Sequence, residues 1–228
     1  MALILSIETS TPVCSVALTD SGNTLATEKL FLEKSHSNLL TLVIESVCKH
    51  AGVEMKSIDA VAVSEGPGSY TGLRIGVSTA KGICYALEKP LIAVPTLEAM
   101  AYEVNTANPF GYLLCPMLDA RRMEVYAALY NQNLSVLHEV KPVILEEQSY
   151  QETLADKKML FFGDGSNKFR ALVEVNANAG FVEGVSPSAW AVGKIASAKF
   201  SQNNFVDLAY FEPFYLKEYK AAKPKKLL

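Results

Sequence analysis

A chain of 228 residues, half of them hydrophobic and 20% charged, with a formal net charge of -3, has the composition of a folded protein and excludes a disordered one. It is long enough for one large core or two modest lobes, the latter preferred, and its charge disfavours nucleic acid as a major direct partner. No apolar stretch approaches the ~20 residues of a membrane span, and the opening MALILSIETS carries no basic segment, so the chain reads as cytoplasmic, with no membrane partner.

In chain order, residues 3–7 and 14–18 read as apolar strands on either side of the ETSTP turn, and 25–31 as a third. Ser35 or Ser37 can cap a helix in which Leu39, Leu40, Val43, Ile44, Val47, Cys48 and Ala51 keep helical spacing and which Gly52 stops. Residues 58–63 form a buried-type strand running into SEGPGSYTGLRIGVSTAKGI at 64–83. That segment has the outline of a phosphate loop, with glycines between a strand and a helix N-terminus. Yet Leu73 and Arg74 follow Gly72 where a phosphate loop needs Lys and then Ser or Thr.

The helix expected over 72–88 carries Arg74, Ser78, Lys81, Tyr85 and Glu88 in one polar row, and Gly72, Gly76 and Ala80 in a row without bulk. A helix otherwise so apolar must bury two faces, one on its own sheet and the other on the rest of the chain or on a partner. A strand at 91–94, a short helix ending near 104 and a linker at 105–111 follow. Strands at 112–118 and 125–130, on either side of LDARR, begin a second set, which suggests duplicated lobes. The domains are accordingly 1–104, 105–212 and a tail, 213–228, that packs back on the first lobe. A strand at 159–162 runs into GDGS, and a helix is expected over 188–200. Lys217, Lys220, Lys223, Lys225 and Lys226 crowd the tail, where a solvated terminus explains them more simply than RNA contacts.

Little in the chain looks like a reaction centre. Cys14, Cys48, Cys84 and Cys115 lack paired spacing and read as buried thiols. His36, His50 and His138 fit no metal-binding pattern, so no metal site is expected, and a hydrolase assembled from Cys14, His36 and Asp119 lacks any GxSxG element. Carboxylates offer more. Glu8 and Asp119 each end a strand in a different half, so two lobes would point both into one cleft, where they could hold magnesium or a water, or merely cap turns. Asp164 lies between Gly163 and Gly165 in a tight turn that could approach a nucleotide.

With ILSIETST, EGPGSYTGLRIGVSTAKGI, LDARRMEVYAALY, FFGDGS and EPFYLKE in order over almost its whole length, the chain resembles the TsaB (YeaZ) family. The resemblance implies an α/β fold of two lobes, actin-like or sugar-kinase-like (ASKHA, ribonuclease H-like), with mixed five-stranded sheets flanked by helices. It implies a non-catalytic helper that binds and activates the paralogue TsaD in placing threonylcarbamoyladenosine next to the anticodon of tRNAs reading codons that begin with A. TsaD would be its heterodimer partner, TsaE a further one, and tRNA an indirect one; alone it would form a homodimer. The TsaD transferase uses a metal held by a His-x-x-x-His pair, and in this chain Thr96 and Met100 stand there. Its Ser-Gly-Gly turn is replaced by Asp119, Ala120 and Arg121.

The partner interface implied by the family is formed by the two helices of the first lobe, through Leu39, Leu40, Val43, Val47, Gly72, Gly76, Thr79, Ala80 and Ile83. The same stripes could serve the lobe's own core. Gly76→Arg is expected to break association and leave the lobe folded. Glu8, Gly66, Gly68, Asp119, Gly163, Asp164 and Gly165 are candidates for a vestigial nucleotide site; no cofactor is required by this chain, with ATP or ADP a candidate ligand of the complex. The rival readings are a self-sufficient ATPase or small-molecule kinase on the same fold, and a peptidase.

Overall fold

A computed structural model describes residues 2–31, 36–173 and 176–217. The first lobe is built from β1 (Leu3–Glu8), β2 (Val13–Asp20), β3 (Asn23–Phe31), α1 (His36–Ala51), a 3-10 turn (Met55–Ser57), β4 (Ala60–Gly66), α2 (Tyr70–Leu87) and β5 (Leu91–Pro95), with α3 (Thr96–Asn105) following. The second contains β6 (Leu113–Asp119), β7 (Glu124–Tyr130), β8 (Val136–Ile144), α4 (Gln151–Asp156), β9 (Met159–Phe162), α5 (Ser166–Arg170) and β10 (Ala179–Val182), and α6 (Ala189–Ser201) closes the order.

The two sheets repeat one topology. The first runs β3-β2-β1-β4-β5 and the second, read from its other edge, β8-β7-β6-β9-β10. In each, the first three strands pair antiparallel and the last two extend the sheet in parallel. This is the expected two-lobed arrangement of mixed five-stranded sheets flanked by helices.

Alternation along β1 builds both layers of the first lobe. Leu5 and Ile7 pack with Leu40, Val43 and Val47 of α1 and with Val77, Ala80 and Cys84 of α2, whereas Ile4 faces Ala99 of α3 and Ala191, Val192 and Ile195 of α6. In the second lobe, α3 supplies Leu97, Met100 and Val104 to one face, against Leu114, Leu118 and Phe162. The other face is covered by Leu154 of α4 and Phe169 of α5. Thus α3 lies between the two sheets and contributes to both cores.

Two expectations change. α6 covers the first sheet, so the chain returns to the first lobe ahead of residue 212, where the sequence placed the boundary. β8 was not anticipated, because almost every residue of this edge strand is exposed and Pro142 interrupts its pattern. The cap assigned to Ser35 lies outside the described residues. All four cysteines are buried and free, as expected of small hydrophobic side chains.

Candidate functional site

The glycine segment at the end of β4 forms a backbone socket. Ser69 caps α2, its hydroxyl accepting from the Gly72 amide at 3.3 Å. The loop after β1 lies directly on this turn: the Ser69 amide donates to the Ser10 carbonyl at 2.6 Å, and the Thr9 hydroxyl donates to the Gly72 carbonyl at 2.8 Å. A Cβ at Gly68, Gly72 or Gly76 would collide with Ser10, with the Thr9 carbonyl or with the Thr9 hydroxyl respectively. The small row therefore admits the chain's own 9–10 loop.

This corrects the assignment of the interface. Gly72 and Gly76 are covered by Thr9, and Leu40, Val43, Val47 and Ala80 lie in the core of the lobe. A long side chain at Gly76 would displace the 9–10 loop, so Gly76→Arg would disturb the lobe itself. Leu39, Thr79 and Ile83 do reach the surface in part. Around them α2 presents Ile75, Ser78, Gly82 and Ala86, and a Cβ at Gly82 would meet no atom within 4 Å. On the neighbouring α1, Leu42 is 57% exposed. A small and apolar surface thus exists, roughly a quarter-turn around α2 from the row chosen on sequence.

Between the lobes opens a cleft of about 1040 Å³, with Ser10, Gly68 and Tyr70 on one wall and Asp119, Arg121 and Asp164 on the other. Of the candidate nucleotide residues, Gly68, Asp119 and Asp164 are brought together there. Glu8 is not: it is fully buried, and its Oε1 accepts from the Ser10 amide at 2.5 Å. Burial pushes its carboxyl above the usual range, opposed by hydrogen bonding from Ser10 and Ser64. Gly163 (φ 96) shapes the turn beneath Asp164, and Gly165 donates its amide to the Met117 carbonyl at 3.1 Å. Gly66 lies against the Phe214 carbonyl.

The cleft carboxylates have partners within the chain. Although partial desolvation acts against it, the Lys168 ammonium at 2.8 Å and the Arg121 amide at 2.6 Å hold Asp119 below its ordinary range. Asp164 Oδ1 accepts from the Asp119 amide at 2.9 Å; loss of water on its protein side raises its carboxyl, with Asp119 adding repulsion. Among the described residues, no group of three His, Cys, Asp or Glu side chains could hold a metal ion. Thr96 and Met100 are both fully buried in the first turns of α3, and the Met100 methyl packs against Gly163.

Reasoning from sequence missed Lys168, Tyr126 and Tyr215 in this region and read Lys217 as part of a solvated tail, because each acts through a contact between distant segments. The paired basic residues of LDARR were visible, and Arg121 and Arg122 adopt φ of 71° and 51° where the chain reverses between β6 and β7. Of the residues proposed for a hydrolase, Cys14 is buried inside the first sheet, burial pushing its thiol up to about 11, while the His36 side chain lies outside the described residues.

Comparison with known proteins agrees with this architecture. The family model described as TsaD, tRNA N6-adenosine threonylcarbamoyltransferase, matches residues 31–225. The Escherichia coli (strain K12) tRNA threonylcarbamoyladenosine biosynthesis protein TsaB is 30% identical, over 96% of this chain and 96% of its own. The chain belongs to the TsaB family. The Bacillus subtilis (strain 168) TsaB is 32% identical over 78% of this chain and 79% of its own. A Lacticaseibacillus casei tRNA N6-adenosine threonylcarbamoyltransferase is 34% identical, but over 49% of this chain and 38% of that one. The crystal structure of YeaZ from Pseudomonas aeruginosa superposes with a TM-score of 0.81 at 23% identity, over 95% of this chain and all of that one, which bears on the fold alone. Among the described residues, no helix is long and apolar enough to cross a membrane.

Proposed function

We propose that this TsaB-family chain is a non-catalytic partner subunit, required for threonylcarbamoyl transfer to the adenosine next to the anticodon of tRNAs reading codons that begin with A. It docks on the transferase TsaD and activates it, TsaE joins the assembly, and tRNA is met through the complex, in the cytoplasm. The observation that carries the reading is the environment of Thr96 and Met100. At the place where a transferase-type histidine pair would stand, both side chains are fully buried and Met100 packs in the apolar layer with Leu97, Leu118 and Phe162. Neither side chain offers a divalent cation the imidazole it needs, and the nearby Asp119 is already held by Lys168.

The outward face of α2 supports the docking half of the proposal. Gly82 and Ala86 bring no bulk, Ile75 and Ile83 of the same helix are partly exposed, and Leu39 and Leu42 of the neighbouring α1 add partly or largely exposed apolar surface, a composition suited to close helix-on-helix contact. With no partner present, the same face would pair two copies of the chain.

The test is transfer of the threonylcarbamoyl group to tRNA by the matching TsaD and TsaE, with this chain present, absent or alone. Activity only in the full mixture is expected, and modification by this chain alone would overturn the reading. Gly82→Arg, which alters an open position, is expected to abolish co-elution with TsaD while leaving the far-ultraviolet spectrum unchanged.

A further inference from the structure

The polar row of α2 has a role that partner docking does not explain. After α6 the chain bridges to β5, the Val206 amide donating to the Leu91 carbonyl at 3.0 Å, and then runs along that row. Lys81 Nζ donates to the carbonyls of Ala209 and Phe211 at 3.1 and 3.0 Å. About two turns toward the helix N-terminus, Arg74 Nε donates to the Tyr215 hydroxyl at 3.3 Å. The Arg74 guanidinium also lies 4.4 Å from the centre of the Tyr70 ring, which packs at a tilt of 38° against Tyr215, centroids 4.8 Å apart. The Phe214 amide donates to the Glu65 carbonyl at 2.7 Å. Up to this point every anchor is in the first lobe.

At Lys217 the segment reaches the other lobe. Its ammonium pairs with Glu124 Oε2 and lies 5.7 Å from the centre of the Tyr126 ring, both on β7. Residues 214–217 line the mouth of the interlobe cleft. A segment fastened along one lobe and clamped to the other across their opening limits how far the lobes can separate. The two lobes are also joined by α3, which is packed into both cores and is the natural axis for such a motion.

We propose that residues 205–217 form a latch that holds the two lobes at a fixed separation, with Lys217, Glu124 and Tyr126 as its clasp. The proposal rests on the reading of the chain as a partner subunit: a fold able to open and close about α3 is held as a rigid scaffold, so the docking face on α2 and the second lobe keep one relative orientation.

Spin labels on Lys49→Cys and Asn133→Cys, two exposed positions in different lobes, read the interlobe distance by pulsed electron resonance in the full chain without any partner. The otherwise native chain is expected to give one narrow distribution. Lys217→Glu should broaden it and add a longer component, and the exchanged pair Lys217→Glu with Glu124→Lys should restore the narrow one. An unchanged distribution in Lys217→Glu, or no recovery in the exchanged pair, would overturn the latch. Because the measurement needs no TsaD, failure of the latch is separate from failure of the docking proposal.

Discussion

Glu8 illustrates how a residue that looks catalytic on paper is reassigned by its surroundings. A carboxyl at the end of a strand that runs toward an interlobe cleft invites a role in binding a cation, yet here it is enclosed and ties the 9–10 loop to β1 through the Ser10 amide. Its proton is held more tightly in the folded state than in the unfolded one, where the ordinary value is 4.5. Between that value and the raised folded one, the native state carries the extra proton, so stability falls as pH rises through the window. Glu8→Gln keeps the amide acceptor and removes the titration. In urea unfolding the variant should therefore gain progressively on the native chain as pH rises above 4.5. A difference that does not change with pH above 4.5 would show that Glu8 titrates normally.

Helix α2 presents four different surroundings on one cylinder. Val77 and Cys84 face the sheet, Gly72 and Gly76 face the 9–10 loop, Arg74 and Lys81 hold the latch, and Gly82 faces open space. The glycines look alike in sequence but differ in consequence. Gly76→Ala drives a methyl into the Thr9 hydroxyl and should destabilise the lobe by about 1–3 kcal/mol. Gly82→Ala meets nothing and reduces the freedom of the unfolded chain, which should stabilise by up to about 1 kcal/mol. Thermal and urea unfolding of the two variants should move in opposite directions; a loss of stability in both would place Gly82 against the chain as well. The row chosen from the sequence was adjacent to the open one because helical spacing identifies stripes but does not say which neighbour covers each.

The lobes of the whole molecule are not independent units in sequence order. α6, near the end of the described chain, supplies the second layer of the first lobe, covering Ile4, Ala62, Ile92 and Val94 with Ala191, Val192, Ile195 and Ala196. Removing that layer forfeits burial worth roughly 5 kcal/mol, comparable to the entire stability of an ordinary domain. A fragment of residues 1–112 should therefore lack a cooperative unfolding transition in circular dichroism, and joining it through a flexible linker to residues 183–217 should restore one. A sharp transition in the short fragment alone would show that α6 is dispensable.

Sequence by itself determined most strands of both sheets, the helices with strong apolar stripes, the duplicated lobes and the TsaB-family motifs, because periodicity, capping and turn composition are local properties of the chain. Only the tertiary structure decided that Glu8 is buried rather than facing the cleft, that Gly72 and Gly76 seat Thr9, that α6 returns to the first sheet, and that Lys217 crosses to Glu124. Each of these joins segments far apart in sequence, and the free energy that selects such a contact depends on what the fold leaves uncovered around it.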